Sequence, residues 1–266
     1  MVENKKLTNF GIIMNIYEFS VDKLDLKNKI IFDCAIGAGE STYYWAKAIH
    51  EQGGSSKIIG FDNNLSGEDR NIIHENLKDF SQYVEVKNGD ISDLNDYKNN
   101  SVDYINCDDT VVFLANTVGL LEKSIKEFHR LLKPGGKIVI NSEIPVSWNS
   151  EVYIQNQYRR WNFAKAILAF KGEIWSIEPS CEEIKKIVID NGFVIEKEKM
   201  FQPFKQHNPT PCINEWYEIM RDEINLLKIG EKLKIALLVE ASVIRNNVLE
   251  KGMACPAYFA IHCMKS

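Results

Sequence analysis

The run Asp33-Cys34-Ala35-Ile36-Gly37-Ala38-Gly39-Glu40 puts a carboxylate at the head of a glycine turn. Glycines there let the backbone turn tightly and approach a ligand with no Cβ in the way. A carboxylate beside such a turn suits a ligand bearing an ammonium group and does not help a pyrophosphate. A dinucleotide fingerprint would also want a small residue where the helix packs close. This chain has β-branched Thr42 at that place. A second acid, Asp62, followed by Asn63, lies 25 residues beyond Gly37 and can accept both hydroxyls of a ribose. A third run, Asn88-Gly89-Asp90-Ile91, reads by itself as a turn. A fourth, Val102 to Asp109, ends in Cys107, Asp108 and Asp109.

The elements that must position these residues follow from periodicity. Strands are predicted at Lys29–Asp33, Lys57–Phe61, Val84–Lys87, Val102–Cys107 and Lys137–Asn141. Helices are predicted between them, at Ser41–Gln52, Ser66–Phe80 and Asn116–Leu132. Gly53-Gly54 and Pro134-Gly135-Gly136 act as stops. Alternation of strand and helix implies βαβ units and a mainly parallel sheet covered on both faces. An amphipathic helix is expected around Phe10–Phe19. Later come helices at Tyr158–Phe170 and Ser180–Asn191 and strands at Phe193–Met200 and Ala257–Met264. The 202–256 connection reads as two helices, Ile213–Leu227 and Glu231–Leu249, broken at Gly230. A connection that long usually has a job.

In this order the motifs resemble those of the class I S-adenosylmethionine-dependent methyltransferases, and the layout is similar to the small-molecule enzymes of ubiquinone and menaquinone biosynthesis. The first run matches the family's D-x-G-x-G-x-G except at Ala35, where a glycine would stand. Leu132-Lys133-Pro134-Gly135-Gly136 is typical of the turn before the fifth strand. The resemblance covers 30–143 and the strands at 193–200 and 257–264. It implies an α/β, Rossmann-like, seven-stranded and mainly parallel sheet. The last strand would be antiparallel, with helices on both faces; the helices read in the 202–256 connection add a helical lid. It implies S-adenosyl-L-methionine as cofactor, held by Asp33, Ala35, Gly37, Gly39, Asp62 and Asn63. By the same resemblance Asp90 and the N–H of Ile91 meet the adenine edge, and Cys107 passes under the methionine end.

The family reaction is an in-line displacement in which the electrophile arrives already activated, so the protein mainly aligns the nucleophile. A base is needed only if the acceptor loses a proton. Glu143, beyond the fifth strand, is the first candidate; Asp108 and His207 follow, with Asp109 beside them. Trp148, Tyr158, Trp161 and Trp175 are either pocket walls or ordinary core.

The net charge of −5 disfavours a phosphate-backbone partner. No run reaches the roughly 18 apolar residues of a membrane helix, no signal peptide is evident, and the six cysteines are scattered. A cytoplasmic protein with reduced thiols and no metal is expected. The expected organisation is a single domain, with core 29–145, 180–201 and 257–266, and lid segments 1–28, 146–179 and 202–256. The lid segments would roof the acceptor. Their apolar residues Trp216, Ile219, Met220, Leu233, Ala236, Leu237 and Ile244 serve either that roof or a homodimer through the 202–256 helices. The leading function is methyl transfer to a small-molecule acceptor. A macromolecular acceptor, a nicotinamide-dependent oxidoreductase and a non-catalytic binding module are the competitors.

Overall fold

The computed structural model describes residues 11–144, 151–172 and 178–266, with side chains from residue 16 onward. Trp148 and Trp175 lie outside the described residues. The chain forms two compact units. Among the described residues, one holds 12–143, 179–201 and 258–266; the other holds 11, 144, 151–172, 178 and 202–257.

The first unit is built on a seven-stranded sheet. Its strands are β1 (Ile30–Cys34), β2 (Lys57–Asp62), β3 (Val84–Asn88), β4 (Val102–Asp108), β5 (Leu132–Glu143), β6 (Phe193–Phe201) and β9 (Tyr258–Lys265). They lie in the order β3-β2-β1-β4-β5-β9-β6. All neighbours are parallel except β9, which runs antiparallel to both β5 and β6. The fold is the Rossmann-like one expected. Near-continuous apolar runs, such as Ile58-Ile59 in β2, suit strands covered on both faces. The order reverses between β1 and β4, so their carboxyl ends flank the crevice where open α/β sheets take ligands.

Helices α1 (Gly11–Val21), α2 (Glu40–Gln52), α3 (Gly67–Leu77), α4 (Val111–Ala115), α5 (Leu120–Leu131) and α7 (Cys181–Asp190) cover this sheet. Two of these helices start with a capping box. The Ser66 side chain accepts from the Asp69 N–H at 3.1 Å while Asp69 accepts from the Ser66 N–H at 2.8 Å. Ser180 and Glu183 close the same box on α7. Two expectations need correction. The helix predicted over Asn116–Leu132 starts only at Leu120, because Gly119 turns left-handed (φ 75°) and a separate short helix precedes it. The fifth strand begins at Leu132 rather than Lys137, and the helix stops before Pro134. Gly136 lets this stretch hug β4: a Cβ there would sit 3.0 Å from the Asp103 carbonyl oxygen.

Asp103, at the head of β4, accepts from the Ile30 N–H at 2.9 Å and from Lys133 Nζ at 2.8 Å. It ties β1 and the Lys-Pro-Gly-Gly turn to β4 at the amino ends of the strands, away from the ligand side. Its role is structural.

The second unit contains α6 (Val152–Phe170), α8 (Thr210–Leu226), α9 (Glu231–Lys251) and a small antiparallel ribbon, β7 (Phe204–Lys205) with β8 (Ala254–Cys255). The ribbon has no counterpart among the expected elements. Phe163, Ile167, Trp216, Met220, Ile244 and Val248 are among the residues of its core. The apolar residues anticipated for a roof or an interface therefore divide. Trp216, Met220 and Ile244 are buried inside this unit, whereas Ile219, Leu233 and Ala236 are exposed. No described helix is long and apolar enough to cross a membrane.

Candidate active site

The glycine run forms the turn from β1 into α2. Its backbone is pinned by the Ile36 N–H to the Phe61 carbonyl (2.8 Å) and the Gly39 N–H to the Ile36 carbonyl (2.8 Å). Gly37 (φ 50°) and Gly39 (φ 83°) are left-handed. A Cβ on Gly37 would meet nothing within 4 Å, so open space lies over it. Ala35, standing where a glycine was expected, also adopts a left-handed conformation (φ 62°). The loop geometry survives the substitution at a cost of about 1–2 kcal/mol. Gly60 on β2 is required for a reason not read from sequence. Ile36 lies directly over it, and a Cβ at 60 would fall 2.3 Å from Ile36 Cδ1.

Asp33 is buried. Its carboxylate accepts from Thr42 Oγ1 and from Asn106 Nδ2, the latter at 3.0 Å. Asn106 Nδ2 also reaches Ser41 Oγ at 2.9 Å. Burial pushes the Asp33 carboxyl up to about 6, with the Thr42 and Asn106 hydrogen bonds pulling the other way. The acid therefore locks the start of α2 to β4. Thr42, first noticed as an obstacle to a dinucleotide, is its hydroxyl partner. Asn106 was missed, although a polar residue inside the apolar run Val102–Cys107 was the available signal.

Asp62 closes β2 and lines a cavity of about 270 Å³ with Gly37, Ala38, Asn64, Leu65 and Asp69. Asn63 beside it is exposed. The Gly89 N–H donates to the Asp62 carbonyl at 2.9 Å, which brings the ends of β2 and β3 together. Asp90 follows, exposed, and accepts from the Ser92 N–H at 2.8 Å. That bond holds its carboxyl below the ordinary range. Ile91 is buried. These residues share the carboxyl-end side of the sheet with the glycine loop.

At the ends of β4 and β5 a second group gathers. Asp108 accepts from Asn141 Nδ2 at 3.2 Å and from the Tyr17 hydroxyl of α1. Asp109 (φ 46°) accepts from the Glu143 N–H at 3.3 Å. Glu143 Oε1 accepts from the Tyr258 hydroxyl at 2.7 Å. Glu143 and Tyr258 are cross-strand partners in the β5–β9 register. Burial, then the neighbouring Asp109 charge, push Asp108 up to about 7. Burial also raises Asp109, and burial with nearby carboxylates raises both tyrosines. Cys107 is fully buried within β4, its thiol pushed up to about 12 by burial.

Of the three acid–base candidates, Asp108 and Glu143 lie at the ends of the paired strands β4 and β5, while His207 is exposed in the second unit. Tyr17, Tyr258 and Asn141 were missed. Tyr258 becomes visible only once β9 is in register against β5. Among the described residues no cluster of His, Cys, Asp and Glu could hold a metal ion.

A methyltransferase domain family matches residues 25–215, well over half of the chain. No curated protein sequence matches it. Solved structures resemble it at low identity. A candidate sarcosine dimethylglycine methyltransferase of Galdieria sulphuraria is 14% identical, with 95% of this chain and 86% of that one covered and a TM-score of 0.55. Geranyl diphosphate C-methyltransferase of Streptomyces coelicolor, solved with Mg²⁺, geranyl diphosphate and S-adenosyl-L-homocysteine, is 16% identical (95% and 78% covered, TM-score 0.51). The [4+2]-cyclase SpnF is 14% identical (94% and 80% covered, TM-score 0.57). At such identities the likeness is one of fold. The sheet order and the glycine turn define the class I S-adenosylmethionine-dependent methyltransferase fold. The chain belongs to the methyltransferase domain family.

Proposed function

We propose that this chain transfers the methyl group of S-adenosylmethionine to a small-molecule acceptor. The observation that carries the reading is the division of labour along one side of the sheet. The turns after β1 and β2, with Asp69 of α3, surround an open cavity edged by Gly37 and Asp62. The ends of β4 and β5 hold the carboxylates of Asp108, bonded to Asn141, and Glu143, bonded to Tyr258, with Asp109 accepting from the Glu143 N–H. The open space over Gly37 fits a ligand laid along the loop backbone. In this reading Asp62, with Asn63, takes the ribose hydroxyls. Asp90 and the Ile91 N–H take the adenine edge, and the backbone of Ala35, Gly37, Gly39 and Cys107 lies against the methionine end. Asp33 acts by fixing the loop rather than by reaching the ligand.

The cofactor supplies an activated methyl group when bound. The chain's residues orient the acceptor and, where it must lose a proton, remove it. Asp108, with its pKa near neutrality, is suited to that task. Tyr17 and Tyr258 hold the two carboxylates in place. A small acceptor is supported by the acidic net charge of −5 and by the small substrate in the Streptomyces coelicolor neighbour. The test uses cofactor carrying a labelled methyl group with a metabolite extract, an RNA pool and a protein pool. The label is expected in the low-molecular-weight fraction with stoichiometric S-adenosylhomocysteine. Label in RNA or protein would move the acceptor to a macromolecule. Cofactor bound without turnover in any pool would favour a binding module or a different reaction, as in the cyclase of the same fold.

A further inference from the structure

Helix α9 is 21 residues long, about 31 Å. One side of it carries Ala241, Ile244 and Val248, buried in the core of its own unit. On the opposite side stand Lys232, Ala236, Val239, Val243, Asn246 and Glu250, all exposed. Their spacing alternates four and three residues without a break, the seam spacing of a coiled coil. Ile235 beside the seam is 59% exposed, and Val239 within it 57%. A solvated helix face would carry charge at its centre. This one carries valines at its centre and opposite charges at its two ends.

That arrangement is self-complementary under a two-fold axis. Turned end for end about Ala241, the seam brings Val239 against Val243 of a second copy and Ala236 against Asn246. It also brings Lys232 against Glu250, twice. Ile235 then faces Leu249, which is also exposed. The one acidic residue that would face itself near the axis, Glu240, is already neutralised by a forked ion pair with Arg159 (2.7 and 2.9 Å). A parallel pairing would instead put Lys232 against Lys232 and Glu250 against Glu250. We infer that α9 is an isologous dimer interface, with a second copy of this chain packed antiparallel along the Lys232–Glu250 seam. This does not depend on the reaction proposed above.

The test is sedimentation equilibrium of the full-length protein at micromolar concentration, with circular dichroism to follow folding. The wild type is expected to be a dimer. Val239→Glu is expected to yield a folded monomer with an unchanged melting curve, since the side chain is exposed. Lys232→Glu and Glu250→Lys are each expected to weaken the dimer by about 3- to 10-fold, and the double exchange to restore it. A monomeric wild type, or a dimer indifferent to Val239→Glu, would overturn the interface. Failure of the double exchange to restore affinity would overturn the antiparallel register.

Discussion

Asp33 and Asp108 are both acids held close to neutrality, yet they do different work. Asp33 has both oxygens tied to Thr42 and Asn106 and is closed off from solvent. Asp108 is bound on one side by Asn141 and Tyr17 and shares its surroundings with Asp109 and Glu143. Both folded pKa values, about 6 and about 7, lie above the ordinary 3.8. Between those limits the folded chain holds protons that the unfolded chain has released. Stability from these groups is therefore complete below about pH 4 and is lost as pH rises through 6 and 7. Each unit of pKa displacement is worth ~1.4 kcal/mol, so Asp33 alone should tilt stability by about 3 kcal/mol. Urea unfolding of Asp33→Asn across pH 4–8 should show a flatter profile than the wild type; an unchanged slope would remove Asp33 as its source. Ionisation of Asp108 also predicts a rising limb in kcat near pH 7 if it takes a proton. Asp108→Asn should abolish that limb and lower kcat by about 10²-fold or more. A pH-independent residual rate equal to wild type would exclude it as the base.

At the scale of elements, the site depends on how closely the β1–α2 turn sits on β2. Ile36 rests on Gly60 with no room for a Cβ. Gly60→Ala should cost about 1–3 kcal/mol by forced repacking. Adding Ile36→Ala should recover part of that loss, because the two side chains compete for one space. Thermal melts of the two single variants and the double close that cycle; strictly additive losses would mean that the contact is not the cause. The Ser180 box is a simpler case. Ser180→Ala should cost about 0.5–2 kcal/mol through loss of the α7 cap, read as a lowered melting temperature with cofactor affinity unchanged.

These elements also show what was legible in advance. Capping residues, glycine stops and apolar strands act locally, so Ser66, Ser180, Gly53 and β1 to β4 could be read along the chain. Gly119 acts locally too, but its left-handed turn divides a helical pattern that looked continuous. The β7–β8 ribbon joins segments some fifty residues apart in sequence, and two-residue strands carry no periodicity. The residues proposed for the cofactor follow strands at fixed offsets, which made them legible as candidates. The Asp33–Thr42–Asn106 network and the Glu143–Tyr258 pair were not. Asn106 meets Asp33, and Tyr258 meets Glu143, only through sheet register.

For the whole molecule, sheet order and motif order agree. The crevice at the ends of β1 and β4, the cavity beside Asp62 and the family match over 25–215 all point to one cofactor. The second unit, with a core of its own, adds helices that the sheet does not need. Their sequence carries no motif from which an acceptor could be read. The central claim is that the glycine loop and Asp62 bind S-adenosylmethionine. Isothermal titration calorimetry of the purified chain with S-adenosylmethionine, NAD and NADP tests it most directly. One site per chain is expected for S-adenosylmethionine, with no saturable heat from either nicotinamide nucleotide, and Asp62→Ala weakening binding by about 1–3 kcal/mol. Saturable binding of NAD in place of S-adenosylmethionine, or an Asp62→Ala variant of unchanged affinity, would contradict it.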